Sequence, residues 1–497
     1  MSVNKEKLLH SKMFWVGILY FAEGFPLGIF YDVFPVHFRQ QGVNLSDIGF
    51  LSLLGLAWTL KFLWAPAIDH YRHHRRWIFI SNLFMGGVML LFSIYADFGP
   101  WAWFAIGIFT MLSATNDVAI DGYTIEMLSK KEMGLANGLR IGFYRVGMLA
   151  AGFILILSDW LGWSATYLSA VFIFAIIGLF ILLLAPSEKT YERKSSISLW
   201  SEFNQIATNP KATTAIVLFF LACIWLINRV TQWSESHEYF WYYLQVPGLL
   251  IIFASIALKN RKDSLNPSVS LADEELSKGP MFGALLNMLQ RPYIIPVIIF
   301  ILIFKLGDSA MGFMIKPFWV DAGFTASEIG WVSVNLGLIL SIAGGVAGGW
   351  ITDRIGIFRA LWILGLFQAL SNLGYAFVAS QFESIEASGL SSSFRMMMYS
   401  ASGLESFTGG LGTAAFLAFL MAIVDKRHSA TEYALLSSVF ALSRSVSGWA
   451  GGYGAEIMGY ADYFFLTVFL ALPAYLLLPW VSKMMKYAAS RPDWDQH

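Results

Sequence analysis

The sequence predicts an all-α membrane protein of fourteen spans, and two observations carry that reading. Fourteen apolar stretches run through the chain, and Lys and Arg crowd into every second gap between them. A chain of 497 residues that is 57% hydrophobic and only 13% charged is not built as a water-soluble globule. Each stretch approaches the roughly 20 residues a helix needs to cross about 30 Å of hydrocarbon. Pro and Gly inside several stretches do not change this, because backbone groups in lipid must bond internally and neighbouring helices tolerate kinks.

The expected spans are 13–36, 49–68, 77–96, 101–126, 134–157, 164–185, 212–232, 239–259, 293–318, 326–350, 360–380, 400–424, 432–457 and 461–481. The N-terminus (Lys5, Lys7, Lys12) and the tail (Lys483, Lys486, Arg491) are basic, as are the gaps holding Arg72, Arg75 and Arg76, Lys130 and Lys131, and Lys189, Arg193, Lys194 and Lys211. So are those holding Arg261, Lys262, Lys278 and Arg291, then Arg354 and Arg359, then Lys426 and Arg427. The alternate gaps hold only Arg39, Arg229, Lys316 and Arg395. By the positive-inside rule both termini are cytoplasmic. The first span carries Glu23 and Pro26 and lacks a small-residue cleavage site, so it reads as a retained helix and not as a secretory signal.

The longest polar segments, 186–211 and 260–292, bracket the spans at 212–232 and 239–259, which gives six plus two plus six. The expected domains are a six-helix bundle over 1–190, linkers with the extra helix pair over 191–292, and a second six-helix bundle over 293–497. The two sixes repeat one another. Gly42-Val43-Asn44-Leu45-Ser46-Asp47-Ile48-Gly49-Phe50 enters one helix as Gly323-Phe324-Thr325-Ala326-Ser327-Glu328-Ile329-Gly330-Trp331 enters another. Arg145 and Arg444 lie 299 residues apart, as do Glu126 and Asp425. Parallel six-helix repeats with a site at their interface describe one large class of transporters.

Charged residues inside spans point to the working parts. A charge at mid-membrane costs several kcal/mol unless it is paired or wet, so Glu23, Arg145, Lys305 and Arg444 should face a polar interior. Asp117 and Asp121 share a helix face at i and i+4, where two carboxylates disfavour joint ionisation. Asp121, supported by Asp117, is expected to carry a coupling proton, with Glu23 as its competitor and Asp308 as a further coupling acid. Arg145 and Arg444 are expected to capture a substrate carboxylate, since a guanidinium binds one bidentately. Lys61, Lys305, Tyr123, Tyr144, Gln368, Asn372 and Glu405 complete the expected substrate-binding set.

Several function classes are excluded or unsupported. Zero net charge, sorted by membrane side, gives no support for a nucleic-acid partner, and the single cysteine, Cys223, cannot form an internal disulfide. The eight histidines (His10, His37, His70, His73, His74, His237, His428, His497) fall at span ends, in loops or in tails, which argues against a metal-dependent membrane enzyme. No Gly-x-x-x-x-Gly-Lys-Ser/Thr loop is present, so direct ATP drive is not expected. The reading is a transporter, not an enzyme, with no cofactor or metal.

The Gly349-Trp350-Ile351-Thr352-Asp353-Arg354-Ile355-Gly356 run resembles the cytoplasmic signature of the major facilitator superfamily, and Asp69 to Arg76 is a degenerate copy. Asp69, Arg72, Asp353 and Arg354 are therefore the expected gating residues. Over roughly 14–480, apart from the central insertion, the chain resembles the bacterial muropeptide permease family. The resemblance rests on Leu60-Lys61-Phe62-Leu63-Trp64-Ala65-Pro66, Asn116-Asp117-Val118-Ala119-Ile120-Asp121, Tyr144-Arg145-Val146-Gly147-Met148-Leu149 and Phe304-Lys305-Leu306-Gly307-Asp308. It continues through Ser371-Asn372-Leu373-Gly374-Tyr375, Gly409-Gly410-Leu411-Gly412-Thr413 and Ser429-Ala430-Thr431-Glu432-Tyr433. It implies the major facilitator fold and proton-coupled import of N-acetylglucosaminyl-anhydromuramyl peptides across the inner membrane for cell-wall recycling, by a monomer. Two departures stand out: the extra helices sit between the halves, and Glu23 stands where the family pattern has a small or neutral residue. The alternative cargoes are a chito-oligosaccharide, a peptide or an acyl-coenzyme A.

Overall fold

Every regular element among the described residues is a helix. The computed structural model describes residues 11–61, 64–65, 68, 73–95, 97, 99–128, 133–187, 288, 291–382, 390–424 and 429–490. The expected pair at 212–232 and 239–259 lies outside them, as do the gating candidates Asp69 and Arg72.

The first half of the sequence forms α1 (Lys12–Gln40), α2 (Leu45–Leu60), α3 (His74–Ile94), α4 (Pro100–Met127) and α5 (Met133–Leu184). The second half forms α6 (Ile294–Asp321), α7 (Ala326–Ile355), α8 (Ile357–Ser380), α9 (Ser392–Ala422) and α10 (Ser429–Leu470), then α11 (Leu472–Tyr475) and α12 (Leu478–Ala489). Nine helices among the described residues are long and apolar enough to cross a membrane. Two of them are double. α5 breaks at Gly162 (φ 76°, ψ 166°) and α10 at Gly459 (φ 75°, ψ 164°). Only glycine enters that backbone region freely, so each long helix folds into two arms at its glycine. With the shorter α2, these helices correspond to the expected spans outside the central pair. The final span differs: 461–481 is not one helix, because the chain turns around Pro473 and Pro479, whose missing N–H groups suit helix starts.

Two compact units make up the described chain. The first draws on Met1–Tyr191, Lys305–Ala418 and Phe440–Leu472, and so contains helices from both halves of the sequence. The second draws on Glu192–Phe304, Phe419–Val439 and Pro473–His497. Within the second unit, Arg291 pairs with Glu432 and donates to the Ile423 carbonyl at 3.2 Å, while Phe300 packs edge-on against Phe419.

In the first unit α1 is the interior helix. Of its apolar window 78% is buried, against 33–56% for the other spanning helices. Large apolar side chains on those others, among them Phe104, Phe172, Val346 and Phe377, stay exposed and form a surface suited to lipid. Close approach of α1 and α5 depends on two glycines. A Cβ at Gly24 would sit 1.9 Å from the Tyr144 carbonyl oxygen, and one at Gly147 would sit 2.4 Å from that of Phe21. Small residues let membrane helices pack backbone to backbone. The contact sets Tyr144 and Arg145 of α5 at the level of Glu23 on α1.

Gly24→Ala should therefore destabilise the protein by about 1–3 kcal/mol through overpacking. Gly87→Ala, where a Cβ meets nothing within 4 Å, should not. Thermal unfolding in detergent compares the two, and equal melting temperatures would contradict the packing described.

Candidate functional site

Helix ends from the two halves of the sequence are tied together on one face. Arg39, at the end of α1, holds Asp321, at the end of α6, with both guanidinium arms (2.6 and 2.7 Å), and the Tyr460 hydroxyl donates to the same carboxylate at 2.6 Å. His37, fully buried one turn from the end of α1, contacts Tyr167 and Gln41 and stacks near Trp163, which fixes that end. Two further contacts mirror each other. The Ser46 N–H in the first turn of α2 donates to Glu456 (2.7 Å), and the Ser327 N–H in the first turn of α7 donates to Asp159 (2.6 Å). Each carboxylate comes from the other half, beside the glycine break of α10 or α5. The first turn of a helix has unsatisfied N–H groups and a positive dipole end, which a carboxylate satisfies. α7 also has its own capping box, Thr325 with Glu328, whereas Asn44 provides no side-chain cap for α2. At the opposite end of α7, Asp353 and Arg354 are exposed and Arg354 stacks on Trp350 at 3.9 Å.

Further into the span, two helices widen into π-turns. Ile29–Val33 in α1 carries Tyr31 and Asp32; Ile329–Leu336 in α7 carries Ser333 and Asn335. Such widened turns occur often at functional sites. Lys316 of α6 reaches both, 3.5 Å from Asp32 and 2.7 Å from the Ser333 hydroxyl. Asn335 is buried, and among the described residues neither of its amide atoms is hydrogen-bonded. Roughly two helical turns separate Asp32 from Arg39, so the ion pairs Asp32–Lys316 and Arg39–Asp321 stack along α1 and α6 with opposite polarity.

Arg145 and Arg444 come next. Each lies within electrostatic reach of the other and of Tyr144, and Arg145 also of Asp32. The Arg444 guanidinium lies 3.9 Å over the Tyr31 ring, which stacks with Trp58 and meets Phe313 edge-on. Neither guanidinium has a carboxylate within ion-pair distance among the described residues.

Beside them, in the first half of the sequence, Glu23, Asp117 and Asp121 face Lys61 and Arg140. Lys61 lies 3.6 Å from Asp117, and Arg140 lies 3.0 Å from Asp121 and 4.8 Å over the Tyr20 ring. The Tyr20 hydroxyl donates to Asp121 at 2.8 Å. Asp117 is 4% exposed at its side chain and Asp121 29%, so the two acids that share a helix face differ in access. Glu23 is buried, and among the described residues one of its carboxylate oxygens lacks a hydrogen-bond partner.

A second charged group lies in the other half. Lys305 interrupts α6 (φ −105°, ψ 16°), bonds the Thr413 hydroxyl at 2.5 Å and lies 3.4 Å from Asp308. Glu405 lies within electrostatic reach of Asp308, Lys316 and Lys305. Gln368 and Asn372 are buried on α8. Gln368 packs against Gly412, and Asn372 bonds the Thr467 hydroxyl at 3.1 Å. Tyr123 donates to the Pro186 carbonyl at 2.5 Å and so joins the end of α4 to that of α5.

Sequence reasoning did not single out Asp32, Tyr31, Tyr20, Asn335, Asp321, Asp159 or Glu456 as functional. Asp32 had a readable signal, an acid inside an apolar span. The carboxylates on helix ends had none, since their partners lie far along the chain.

With this geometry in place, comparison with known proteins is informative. The fold matches the solved structures of the POT family transporter PepTSo (TM-score 0.65, 12% identity, covering 97% of this chain and 98% of that one) and of an auto-inhibited POT family peptide transporter (TM-score 0.62, 13%, 96% of each). The family model described as Major Facilitator Superfamily matches residues 16–259. The chain is a multi-pass membrane transporter with the major facilitator fold.

Among named proteins, it is 26% identical to the anhydromuropeptide permease of Escherichia coli, over 95% of this chain and 79% of that one. It is 24% identical to putative transporter AmpG 4 of Rickettsia felis (95% and 97%) and 27% identical to an uncharacterised protein of Haemophilus influenzae (96% of each).

The bidentate Arg39–Asp321 pair, 22% and 19% exposed at its side chains, should favour the tied state by about 1–2 kcal/mol, roughly a tenfold population ratio. Spin labels at Asp97 and Ser392, on exposed ends from the two halves, report it by pulsed electron resonance. Arg39→Ala should shift the distance distribution outward, and the charge swap Arg39→Asp with Asp321→Arg should restore it. An unchanged distribution in Arg39→Ala would contradict a latch.

Proposed function

We propose that this protein is a proton symporter that brings N-acetylglucosaminyl-anhydromuramyl peptides across the inner membrane for reuse in the cell wall, working as a monomer. The observation that carries the reading is the pair Arg145 and Arg444. They are contributed by opposite halves of the sequence, lie within electrostatic reach of each other, and among the described residues have no carboxylate within ion-pair distance. Two cations within reach of each other repel unless an anion joins them, and a muramyl peptide carries carboxylates that a guanidinium grips bidentately. The Tyr31, Trp58 and Phe313 rings beside Arg444 offer an apolar face for a pyranose ring, and the free amide of Asn335 offers a donor and an acceptor. Permease relatives over nearly the whole chain support the same cargo.

The basic gaps place both termini in the cytoplasm, so the face tied by Arg39 and Asp321 is periplasmic and the Asp353–Arg354 end is cytoplasmic. Asp353 and Arg354 act at that end when the halves close there, and Asp69 and Arg72 are their counterparts in the sequence repeat. Proton coupling belongs to the acids Glu23, Asp117 and Asp121, with Asp308 in the other half.

Uptake of labelled anhydromuropeptide into proteoliposomes tests this. Accumulation should follow an inward proton gradient and collapse without one. Arg145→Lys and Arg444→Lys, which keep the charge but lose the planar fork, should each raise KM by about tenfold, or ~1.4 kcal/mol. Wild-type vesicles that take up no muropeptide would overturn the cargo, and unchanged KM in both variants would overturn the site.

A further inference from the structure

We infer that the proton accompanying an anion bound at Arg145 and Arg444 is taken up by Glu23. The inference deepens the symport reading and rests on it. Around Glu23 the titratable and charged groups are Tyr20 on α1 itself, Lys61 on α2, Asp117 and Asp121 on α4, and Arg140 and Tyr144 on α5. Two of the acids have their own counter-ions. Asp117 has Lys61 at 3.6 Å, and Asp121 has Arg140 at 3.0 Å with the Tyr20 hydroxyl at 2.8 Å. Glu23 is the exception: it is buried, no cation lies within ion-pair distance among the described residues, and its Oε2 has no hydrogen-bond partner. A buried carboxylate without a partner is the least costly of the three to neutralise.

Charge balance extends the point beyond this cluster. In the interior of the first unit, the acids Glu23, Asp32, Asp117, Asp121, Asp308 and Glu405 are matched in number by Lys61, Arg140, Arg145, Lys305, Lys316 and Arg444. Fully ionised, the set is neutral. A substrate carboxylate seated on the arginines tips it negative, and a net charge within the span of a membrane is expensive. One proton restores neutrality, and it settles on an acid that gives up no ion pair by accepting it; of the two such acids, Glu405 accepts from the Ser406 hydroxyl at 3.3 Å, whereas Glu23 Oε2 accepts from no group among the described residues. Tyr144 lies within electrostatic reach of Glu23 and of both arginines, so its position links the anion's charge to that acid. Asp121 would have to surrender Arg140 and Tyr20 to do the same.

Two measurements separate this from the cargo assignment. The first needs no cargo: pH-difference infrared spectra of the purified protein in nanodiscs should show a carboxylic-acid carbonyl band appearing on mild acidification. Glu23→Gln should abolish that band and Asp121→Asn should retain it. A band that survives in Glu23→Gln overturns the assignment. The second uses labelled anhydromuropeptide: Glu23→Gln should lose accumulation driven by a pH gradient while still performing counterflow, which needs no net proton movement. If Asp121→Asn shows that split instead and Glu23→Gln accumulates normally, the proton belongs to Asp121. A wild-type protein that moves no muropeptide would sink the cargo and leave the infrared arm to decide the proton site.

Discussion

Charge buried in a hydrocarbon-facing protein is costly, and that constraint organises this molecule. Most of the acids and bases inside its spans are held in pairs: Asp32 with Lys316, Asp117 with Lys61, Asp121 with Arg140, Asp308 with Lys305. Left outside that pairing are Arg145, Arg444, Glu23 and Glu405, the last of which accepts from the Ser406 hydroxyl. In the mechanism we propose, an anion answers the arginines and a proton answers Glu23. The packing of α1 against α5 at Gly24 and Gly147 keeps these groups at one level, so a rearrangement of either helix is felt by both.

The same constraint shapes the tied face. Asp159 and Glu456 occupy corresponding positions beside the two glycine breaks, and each satisfies the first turn of a helix from the other half. Separating the halves there exposes these N–H groups and the Arg39–Asp321 pair to water, which replaces the lost bonds at modest cost. The inner pair Asp32–Lys316 lies closer to the arginines and is less exposed. Arg145 also lies within electrostatic reach of Asp32, so the proposed anion site adjoins the inner pair.

Much of the fold was legible in the sequence because span length and backbone satisfaction leave helices as the choice. The glycines at 162 and 459 fall in the expected gaps between spans, and the twin entry strings become the starts of α2 and α7. The π-turns at Ile29–Val33 and Ile329–Leu336 gave no sequence signal, since they depend on neighbours that stabilise the widened turn. At the site, which residue types matter was readable from charge inside apolar runs. Who pairs with whom was not: Arg39 and Asp321 stand 282 residues apart, and only tertiary packing sets their meeting. Tyr123 shows the limit from the other side, an aromatic near the acids in sequence whose hydroxyl instead holds Pro186.

The central claim is that substrate charge is balanced by a proton inside the protein. Calorimetric titration of anhydromuropeptide into the purified transporter, in two buffers of different ionisation enthalpy at one pH, measures proton exchange with solvent on binding. Net uptake of protons on binding, lost in Glu23→Gln, is the result expected. Binding enthalpies that do not depend on the buffer, at an affinity the arginine variants weaken, would show that the anion enters without its proton and would contradict the account.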